Sequence, residues 1–328
     1  MLTTTPAAAR GLSLSLTPLL LRSISRSYIQ GLTGTPEGCE QLIQRRDVVL
    51  KPLLQMLNES HASVSKAAAT VLINLSSDPR ARESMLDIGI IARIMTYIRE
   101  LSCPHHDLLC MLLSNLTMCE QGTNSMLQVG QDDGKLEGYF VAILLRLFVD
   151  SNGQATDLYE HIAAVLCNIT NMECGRRILL EKGRGLMHAL TLQLQSKSDL
   201  RRRGCAGAIH NCIIAAELEG TLGTILEEKN NISRILDPLG VGGGLEREKD
   251  PFIRQNLAQC IQALAETSAG REMLMSLNAH ETLREAYAQE TDQEVNAAIE
   301  AAMDGLLKNK EMQSELQAFA TGKMIMGD

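Results

Sequence analysis

The sequence has few aromatic residues and no tryptophan. Only 3% of its 328 residues are aromatic, whereas 45% are hydrophobic, with abundant Leu, Ala, Ile and Met. A β-sandwich is built from strands rich in aromatic and β-branched residues, so this composition argues against that class. A helical repeat domain with an aliphatic core agrees with it.

The cysteines show neither a disulfide nor a metal pattern. There are nine of them, an odd number, with no Cys-x-x-Cys pair. We expect buried free thiols in a reducing compartment. The spacing of Cys103, His105, His106 and Cys110 matches no standard zinc pattern, so we predict no metal and no cofactor.

Segments and motifs typical of membrane proteins, nucleic-acid-binding proteins and enzymes are also missing. The sequence contains no run of about 18 apolar residues, the length that a membrane-spanning helix needs. The net charge of −8 weakens a nucleic-acid interpretation, because binding to a phosphate backbone needs clustered positive charge. The Gly-rich segment Gly240–Gly244 has Leu245 where a dinucleotide fingerprint needs its last glycine. With no other catalytic motif present, we predict that the protein is not an enzyme.

What the sequence does contain is a pattern that returns about every 42 residues, the period of armadillo and HEAT repeats. Its third-helix motif carries an asparagine, and the successive asparagines are 41, 53 and 43 residues apart. The four copies are Val71–Ser76, Leu112–Thr117, Val165–Thr170 and Ala208–Ile213, with Asn74, Asn115, Asn168 and Asn211; Ala263 is a degenerate fifth member.

Two rows of residues accompany this column. Large aliphatic residues stand two positions before it. They are three residues away from a second row of small residues, and residues at this spacing lie on one face of a helix. Small residues stand five positions before the column, where a neighbouring helix could approach closely. The small row is Ala69, Cys110, Ala163, Ala206 and Ala258.

The repeats predict an all-α, right-handed α-solenoid, an armadillo- or HEAT-like superhelix of about six to seven repeats. We expect one repeat domain over residues 18–320, with loops near 128–138 and 239–250. A flexible leader at 1–17 and a flexible tail at 321–328 complete the chain. Polar Glu300 on the small row marks the terminal repeat.

Each repeat is predicted to hold three helices. The first helices are expected at Arg82–Leu86, Thr123–Leu127, Arg176–Leu180 and Arg271–Leu277, and the middle helices at Val48–Leu57, Ile91–Leu101, Gly138–Val149 and Leu186–Leu194. The third helix carries the asparagine. Asp199 and Asp292 precede helical runs and are predicted as N-caps.

The N-terminus allows two interpretations. Residues 1–36 contain no Asp or Glu and carry Arg10, Arg22 and Arg26, a composition that resembles an organellar transit peptide. Alternatively, Tyr28–Thr33 aligns with the later motifs as an atypical first repeat, and we favour this from about residue 18 onward.

The asparagine column also has two interpretations. An Asn amide on a concave groove can donate to and accept from an extended peptide backbone, or it can cap a neighbouring helix. Nuclear-import receptors place Trp four residues earlier to clamp lysine. Here Thr70, Met111, Ala164 and Gly207 stand there, which argues against cation–π capture of basic signals.

Charged residues eight positions before the column have mixed signs, which favours a specific protein partner. They include Lys66, Glu160 and Arg203. We expect Arg203 to face the groove with Asn168 and Asn211, and Arg202 to point to an acidic side chain of a neighbouring repeat. The run Arg201–Arg203 as a whole is predicted as a solvated helix start.

A family resemblance rests on short segments. Residues 198–212, Ser198-Asp199-Leu200-Arg201-Arg202-Arg203-Gly204 through Asn211-Cys212, resemble the signature of the eukaryotic Hgh-one homolog family, also called brain protein 16. Ile235–Gly240, Asp250–Arg254 and Leu112–Thr117 are similar to further family segments. His210 and Ile213 depart from the family's Arg and second Cys, and its acidic linker is shortened here to Val241–Lys249.

The resemblance implies an armadillo-like cytoplasmic adaptor, in part nuclear, that helps translation elongation factor two to fold with the chaperonin and Hsp-ninety machinery. Its client would bind the concave groove through Asn74, Asn115, Asn168, Asn211, Arg203, Lys66 and Glu160. No nucleic acid or membrane partner is expected. The alternative is an armadillo scaffold for transport or organellar assembly, suggested by the acid-free residues 1–36.

Overall fold

The computed structural model describes residue 31 and residues 33–130, 137–181, 186–240 and 246–320, with side chains up to residue 307. Within these ranges the chain forms helices and no strand, which confirms the all-α prediction. None of these helices is long and apolar enough to cross a membrane. The predicted leader and tail, and residues 131–136 and 241–245 of the two predicted loops, lie outside the described residues.

Contacts between residues divide the chain into two compact units, Met1–Leu112 and Leu113–Asp328. Helix α6, His106–Leu116, contains the boundary. The first unit also contains α1 (Pro36–Gln44), α2 (Arg46–Met56), α3 (Ala62–Ser76), α4 (Pro79–Asp87) and α5 (Ile90–Arg99).

The second unit holds the longer series of helices. They are α7 (Glu120–Leu127), α8 (Tyr139–Asp150), α9 (Ile162–Ile169), α10 (Glu173–Leu179), α11 (Leu186–Leu192), α12 (Asp199–Ala215), α13 (Leu222–Leu226), α14 (Lys229–Leu236), α15 (Pro251–Glu266), α16 (Ser268–Ser276), α17 (Ala279–Gln289) and α18 (Gln293–Ala320). Short 3₁₀ turns follow α11 and α14, at Gln193–Gln195 and Asp237–Leu239.

The predicted helices agree with the structure more closely in the middle of each repeat than at its start. The middle helices α2, α5, α8 and α11 match to within two residues at either end. The first helices begin three residues earlier than predicted, and in α4 and α16 a polar side chain caps the first turn. For example, the side chain of Asp78 accepts from the N–H groups of Arg80 and Ala81.

One of the two predicted N-caps is wrong. Asp292 accepts from the N–H groups of Glu294 and Val295 and so caps α18 as predicted. Asp199 is instead the first residue of α12, and the hydroxyl of Ser198 accepts from the N–H of Arg201. Ser and Asp are both good N-cap residues, so the sequence alone does not decide which of the adjacent residues Ser198 and Asp199 is the N-cap.

The third helices of the second unit, α9, α12, α15 and α18, pack in series, each against the next. We call these four helices the ladder. Ala163, Ala206 and Ala258 of the small row are fully buried. A Cβ atom at Gly204 would overlap the backbone and side chain of Ala163. The predicted close approach at the small row is therefore confirmed between α9 and α12.

A second set of small residues closes the turn that follows a third helix. Gly122, Gly175 and Gly270 all stand seven residues after the reference column and are buried. A Cβ at any of them would overlap the carbonyl of the third helix, at Leu116, Ile169 and Leu264 respectively. At the same offset the fourth asparagine-bearing repeat has Leu218.

Ala206→Leu should destabilise the protein by about 1–3 kcal/mol, because the added carbons overfill the contact around the small row. Chemical denaturation of the purified chain measures this. Ala297→Leu, on the exposed side of α18, is the matched control and should change the free energy of unfolding by about 0.5 kcal/mol or less. Equal effects at the two positions would contradict the assignment of the small row.

The ladder as a candidate protein-binding face

Asn168 and Asn211 make the same hydrogen bonds to the preceding repeat. Asn168 Nδ2 donates to the carbonyl of Ser114 at 2.8 Å and to Thr117 Oγ1 at 3.1 Å. Asn211 Nδ2 donates to the carbonyl of Cys167 at 3.2 Å and to Thr170 Oγ1 at 3.1 Å. Each side chain therefore ties its own third helix to the end of the one before it.

These bonds confirm that Asn168 and Asn211 cap the preceding helix. They also limit which atoms of the two side chains could bind a peptide. The amide N–H groups are used inside the protein, so only Oδ1 can serve a bound peptide, as an acceptor. The capping role also accounts for the degenerate fifth member. Ala263 follows a repeat in which the hydroxyl position is occupied by Ile213, which has no acceptor to offer.

The remaining asparagines lie in different surroundings. In the first unit, Asn74 and Lys66 are exposed. In the second unit, Asn115 is half-buried. We place the candidate binding face on the ladder, within the second unit.

The centre of the ladder is polar and uncharged. His210 is hydrogen-bonded to Asn211 and to Gln259, and burial lowers the pKa of its imidazole. It is therefore neutral at pH 7. Asn171 Oδ1 accepts from Asn211 Nδ2 at 3.2 Å. Such a surface suits the amide groups of a peptide backbone better than a charged side chain.

Glu160 and Arg203 flank this centre, and both are engaged within the unit. Glu160 Oε2 accepts from the hydroxyl of Ser198 at 2.7 Å. Arg203 Nε lies 2.5 Å from Asp250 Oδ2, and its guanidinium carbon lies 5.0 Å from the centroid of the Phe252 ring. The Arg203 side chain remains 52% exposed, so it still presents charge to solvent.

Arg201 corrects the prediction of a solvated helix start, because its side chain is fully buried. Its guanidinium forms a bidentate pair with Asp157 and donates to the carbonyl of Phe148, to Gln193 Oε1 and to Ser151 Oγ. It also lies 4.0 Å over the Phe148 ring. Every face of this cation is compensated, as a buried charge requires.

Arg202 reaches an acidic side chain of the next repeat, as predicted, and begins a repeated arrangement that the sequence analysis missed. Its Nε donates to Glu248 Oε2 at 2.6 Å and its NH1 to the carbonyl of Ser196. In the following repeat Arg254 Nε donates to Glu290 Oε2 at 2.7 Å and its NH1 to the carbonyl of Glu248.

We call the pairs Arg202–Glu248 and Arg254–Glu290 the arginine clamps. Each holds the segment that leads into the next third helix. Both glutamates also accept from backbone N–H groups two residues on, at Asp250 and Asp292. The two arginines stand nine residues before the reference column, so a search of that row for charge could have found the clamps.

Five of the cysteines are buried, as expected: Cys103, Cys110, Cys205, Cys212 and Cys260. No disulfide joins cysteines of the described residues. Burial raises the pKa of the Cys212 thiol to about 12, and it raises those of Cys205 and Cys260 further. These thiols remain protonated at pH 7 and pack as small apolar side chains. The described residues hold no cluster of three or more metal-ligating side chains.

Asp157→Asn should destabilise the protein by about 3 kcal/mol or more, because it leaves the buried guanidinium of Arg201 without its counter-charge. Urea denaturation compared with wild type measures this. Asp199→Asn is the control, since Asp199 pairs with Arg202 at an 80% exposed position where ion pairs contribute about 0–1 kcal/mol. A small effect of Asp157→Asn would show that the buried ion pair between Arg201 and Asp157 is not needed for folding.

The Arg254–Glu290 clamp should make stability depend on pH. Burial alone would raise the pKa of Glu290, but hydrogen bonds from Arg254 and from the N–H groups of Asp292 and Thr291 hold it at about 2, against an ordinary 4.5. Because this pKa is lowered, the stabilisation is fully present above pH 4.5 and is lost as pH falls toward 2.

Glu290→Gln should therefore be less stable than wild type by about 3 kcal/mol at neutral pH. The difference should shrink as pH falls below 4.5, when wild-type Glu290 takes up its own proton. Urea denaturation of both proteins at a series of pH values measures this. A difference that stays constant from pH 7 to 3 would contradict the lowered pKa.

Known proteins that are similar to this chain indicate the family that it resembles. The model of a domain of unknown function, DUF383, matches residues 97–250. A curated protein of Xenopus laevis, "Protein HGH1 homolog", is 26% identical over 310 residues, covering 88% of this chain and 84% of the relative. The protein of the same name in Dictyostelium discoideum is 24% identical and covers 90% of both chains.

Among solved structures, a designed armadillo repeat protein in complex with the peptide (KR)4 aligns with a TM-score of 0.61 at 14% identity. The alignment covers 79% of this chain and 99% of that one, and it shows the fold alone. The predicted armadillo-like α-solenoid is therefore confirmed, a fold typical of repeat-type protein-binding scaffolds. The matches along the chain support the resemblance to the HGH1 homologs.

Proposed function

We propose that this protein is a non-enzymatic adaptor that binds translation elongation factor two during its folding, in the cytoplasm and together with the chaperonin and Hsp-ninety machinery. The family resemblance supplies the client and the machinery. The ladder supplies a binding face: four helices packed in series, on which Asn168 and Asn211 are held in the same orientation by the same hydrogen bonds.

The regular asparagine bonds are the observation that carries this proposal. Because the N–H groups of both amides are used inside the protein, Oδ1 is the acceptor that Asn168 and Asn211 each offer, on two neighbouring helices of the ladder. An extended segment of a partly folded client has unpaired backbone N–H groups at regular intervals. A prearranged acceptor row binds such a segment with a small loss of conformational entropy.

The client is tested with purified components. Immobilised full-length chain should bind unfolded or nascent elongation factor two more tightly than the native factor, and pulldowns from cells should recover the factor with chaperonin subunits. An unrelated GTPase in the same unfolded state is the control for non-specific capture. Equal binding of both clients, with the adaptor folded, would refute the elongation-factor assignment.

Arg203→Glu should weaken client binding while changing the free energy of unfolding by about 1 kcal/mol or less, because Arg203 is half exposed and its pair with Asp250 is a surface pair. Biolayer interferometry and denaturation measure the two effects. Arg284→Glu makes the same change of charge on an exposed position of α17, away from the ladder, and should bind like wild type. If the two variants lose affinity equally, net charge and not the ladder governs binding.

A further inference from the structure

Leu218 stands seven residues after the reference column, at a position where other repeats have a small buried residue. The other repeats of the second unit have a buried glycine at this offset, at Gly122, Gly175 and Gly270. Leu218 is instead 93% exposed, the highest value among the large apolar side chains that the structure describes. A side chain of this size exposed to water where its equivalents are small and buried needs an explanation.

The neighbouring apolar residue lies one helical turn before it. Ile214 is 51% exposed on the last turn of α12. The N–H of Glu219 donates to the carbonyl of Ala215 at 3.0 Å, so the helical path continues past the end of α12 and carries Leu218. Residues four apart along a helical turn share a face, from which we infer that these two exposed side chains lie near each other as a short apolar ridge. We call it the Ile214–Leu218 ridge.

The turns that follow the third helices of the second unit carry acidic side chains. The segments that follow the third-helix motifs of the second unit, residues 117–121, 170–174, 214–221 and 264–269, contain no Lys or Arg and five glutamates: Glu120, Glu173, Glu217, Glu219 and Glu266. Glu219 is paired with Arg176. The other four are exposed and form no ion pair with a described residue.

The ridge and two of these turns belong to one local structure. The Arg176–Glu219 pair joins α10 to the turn that holds Leu218, and the Asn171–Asn211 bond joins the turn before α10 to α12. The carboxyl ends of α9 and α12 lie at these two turns and add partial negative charge to the glutamates.

We propose that the Ile214–Leu218 ridge is a docking site for a basic amphipathic helix of a partner protein. Its apolar face would cover Ile214 and Leu218, and its Lys or Arg residues would face Glu173 and Glu217. The charge around the ridge selects this occupant over an acidic helix, because like charges facing each other across an interface oppose binding.

Three labelled synthetic peptides test the site by fluorescence anisotropy on the full-length protein. One is a Leu–Lys peptide in amphipathic helical order, the second has the same composition in scrambled order, and the third replaces Lys with Glu. We expect the ordered Leu–Lys peptide to bind best, with affinity falling as salt is raised. Equal binding of the ordered and scrambled peptides would show attraction to net charge alone and overturn the proposal.

Two variants locate the binding. Leu218→Ser should weaken the ordered Leu–Lys peptide about tenfold or more, as truncation of a central contact does. It should leave the melting temperature unchanged, since Leu218 is exposed. Leu200→Ser, at a 43% exposed leucine on the first turn of the same helix, should bind like wild type. Equal binding by the Leu218 and Leu200 variants would overturn the assignment.

The Leu218→Ser variant also distinguishes the partner helix from two other occupants of the Ile214–Leu218 ridge, a second copy of this chain and a membrane. Concentration-dependent dimerisation in sedimentation velocity that Leu218→Ser abolishes would identify a second copy of this chain as the occupant, and flotation with phosphatidylcholine vesicles that Leu218→Ser abolishes would identify a membrane. Either result would overturn the partner-helix proposal. None of these measurements uses elongation factor two, so failure here leaves the proposed client binding untouched, and the reverse also holds.

Discussion

The packing of consecutive third helices is the contact on which the second unit depends. It requires side chains small enough for one helix backbone to reach the next, and the row that contains Ala163, Ala206 and Ala258 supplies them. Gly204 goes further, since its Cα lies against the backbone of Ala163. Interiors at this density tolerate added volume poorly, so the spacing of the ladder is set by its smallest residues and not by its large aliphatic ones.

Polar interactions then hold the helices of the ladder at their ends, and the pair α9–α12 has such interactions at both ends. At the amino end, the arginine clamps hold the segment that enters the next third helix, with Arg201 and its partner Asp157 buried beside the first clamp. At the carboxyl end, Asn168 and Asn211 bind the carbonyl and hydroxyl groups of the preceding helix. Apolar contact alone leaves neighbouring helices free to slide, whereas directional bonds at two ends specify one register.

The sequence predicted what depends on periodicity and missed what depends on distant partners. The succession of helices, the close approach at the small row between α9 and α12 and the burial of five of the nine thiols follow from offsets within one repeat, and these were confirmed. Arg201 was misjudged because a run of three arginines is usually solvated, while its counter-ion Asp157 stands 44 residues away. The asparagines left two roles open for the same reason: only the position of Thr117 and Thr170 in the preceding repeat shows where their N–H groups are used.

The double use of the asparagines determines how a binding face on the ladder can be studied. Removing Asn211 deletes the acceptor offered to a partner and also the bonds to the Cys167 carbonyl and to Thr170 Oγ1 that tie α12 to α9. A loss of binding in such a variant therefore cannot be separated from a loosened ladder. Arg203 contacts Asp250 and Phe252 of the next third helix but keeps half of its side chain exposed, and Leu218 is almost fully exposed, so changes at these two positions disturb the packing of the ladder less than a change at Asn211.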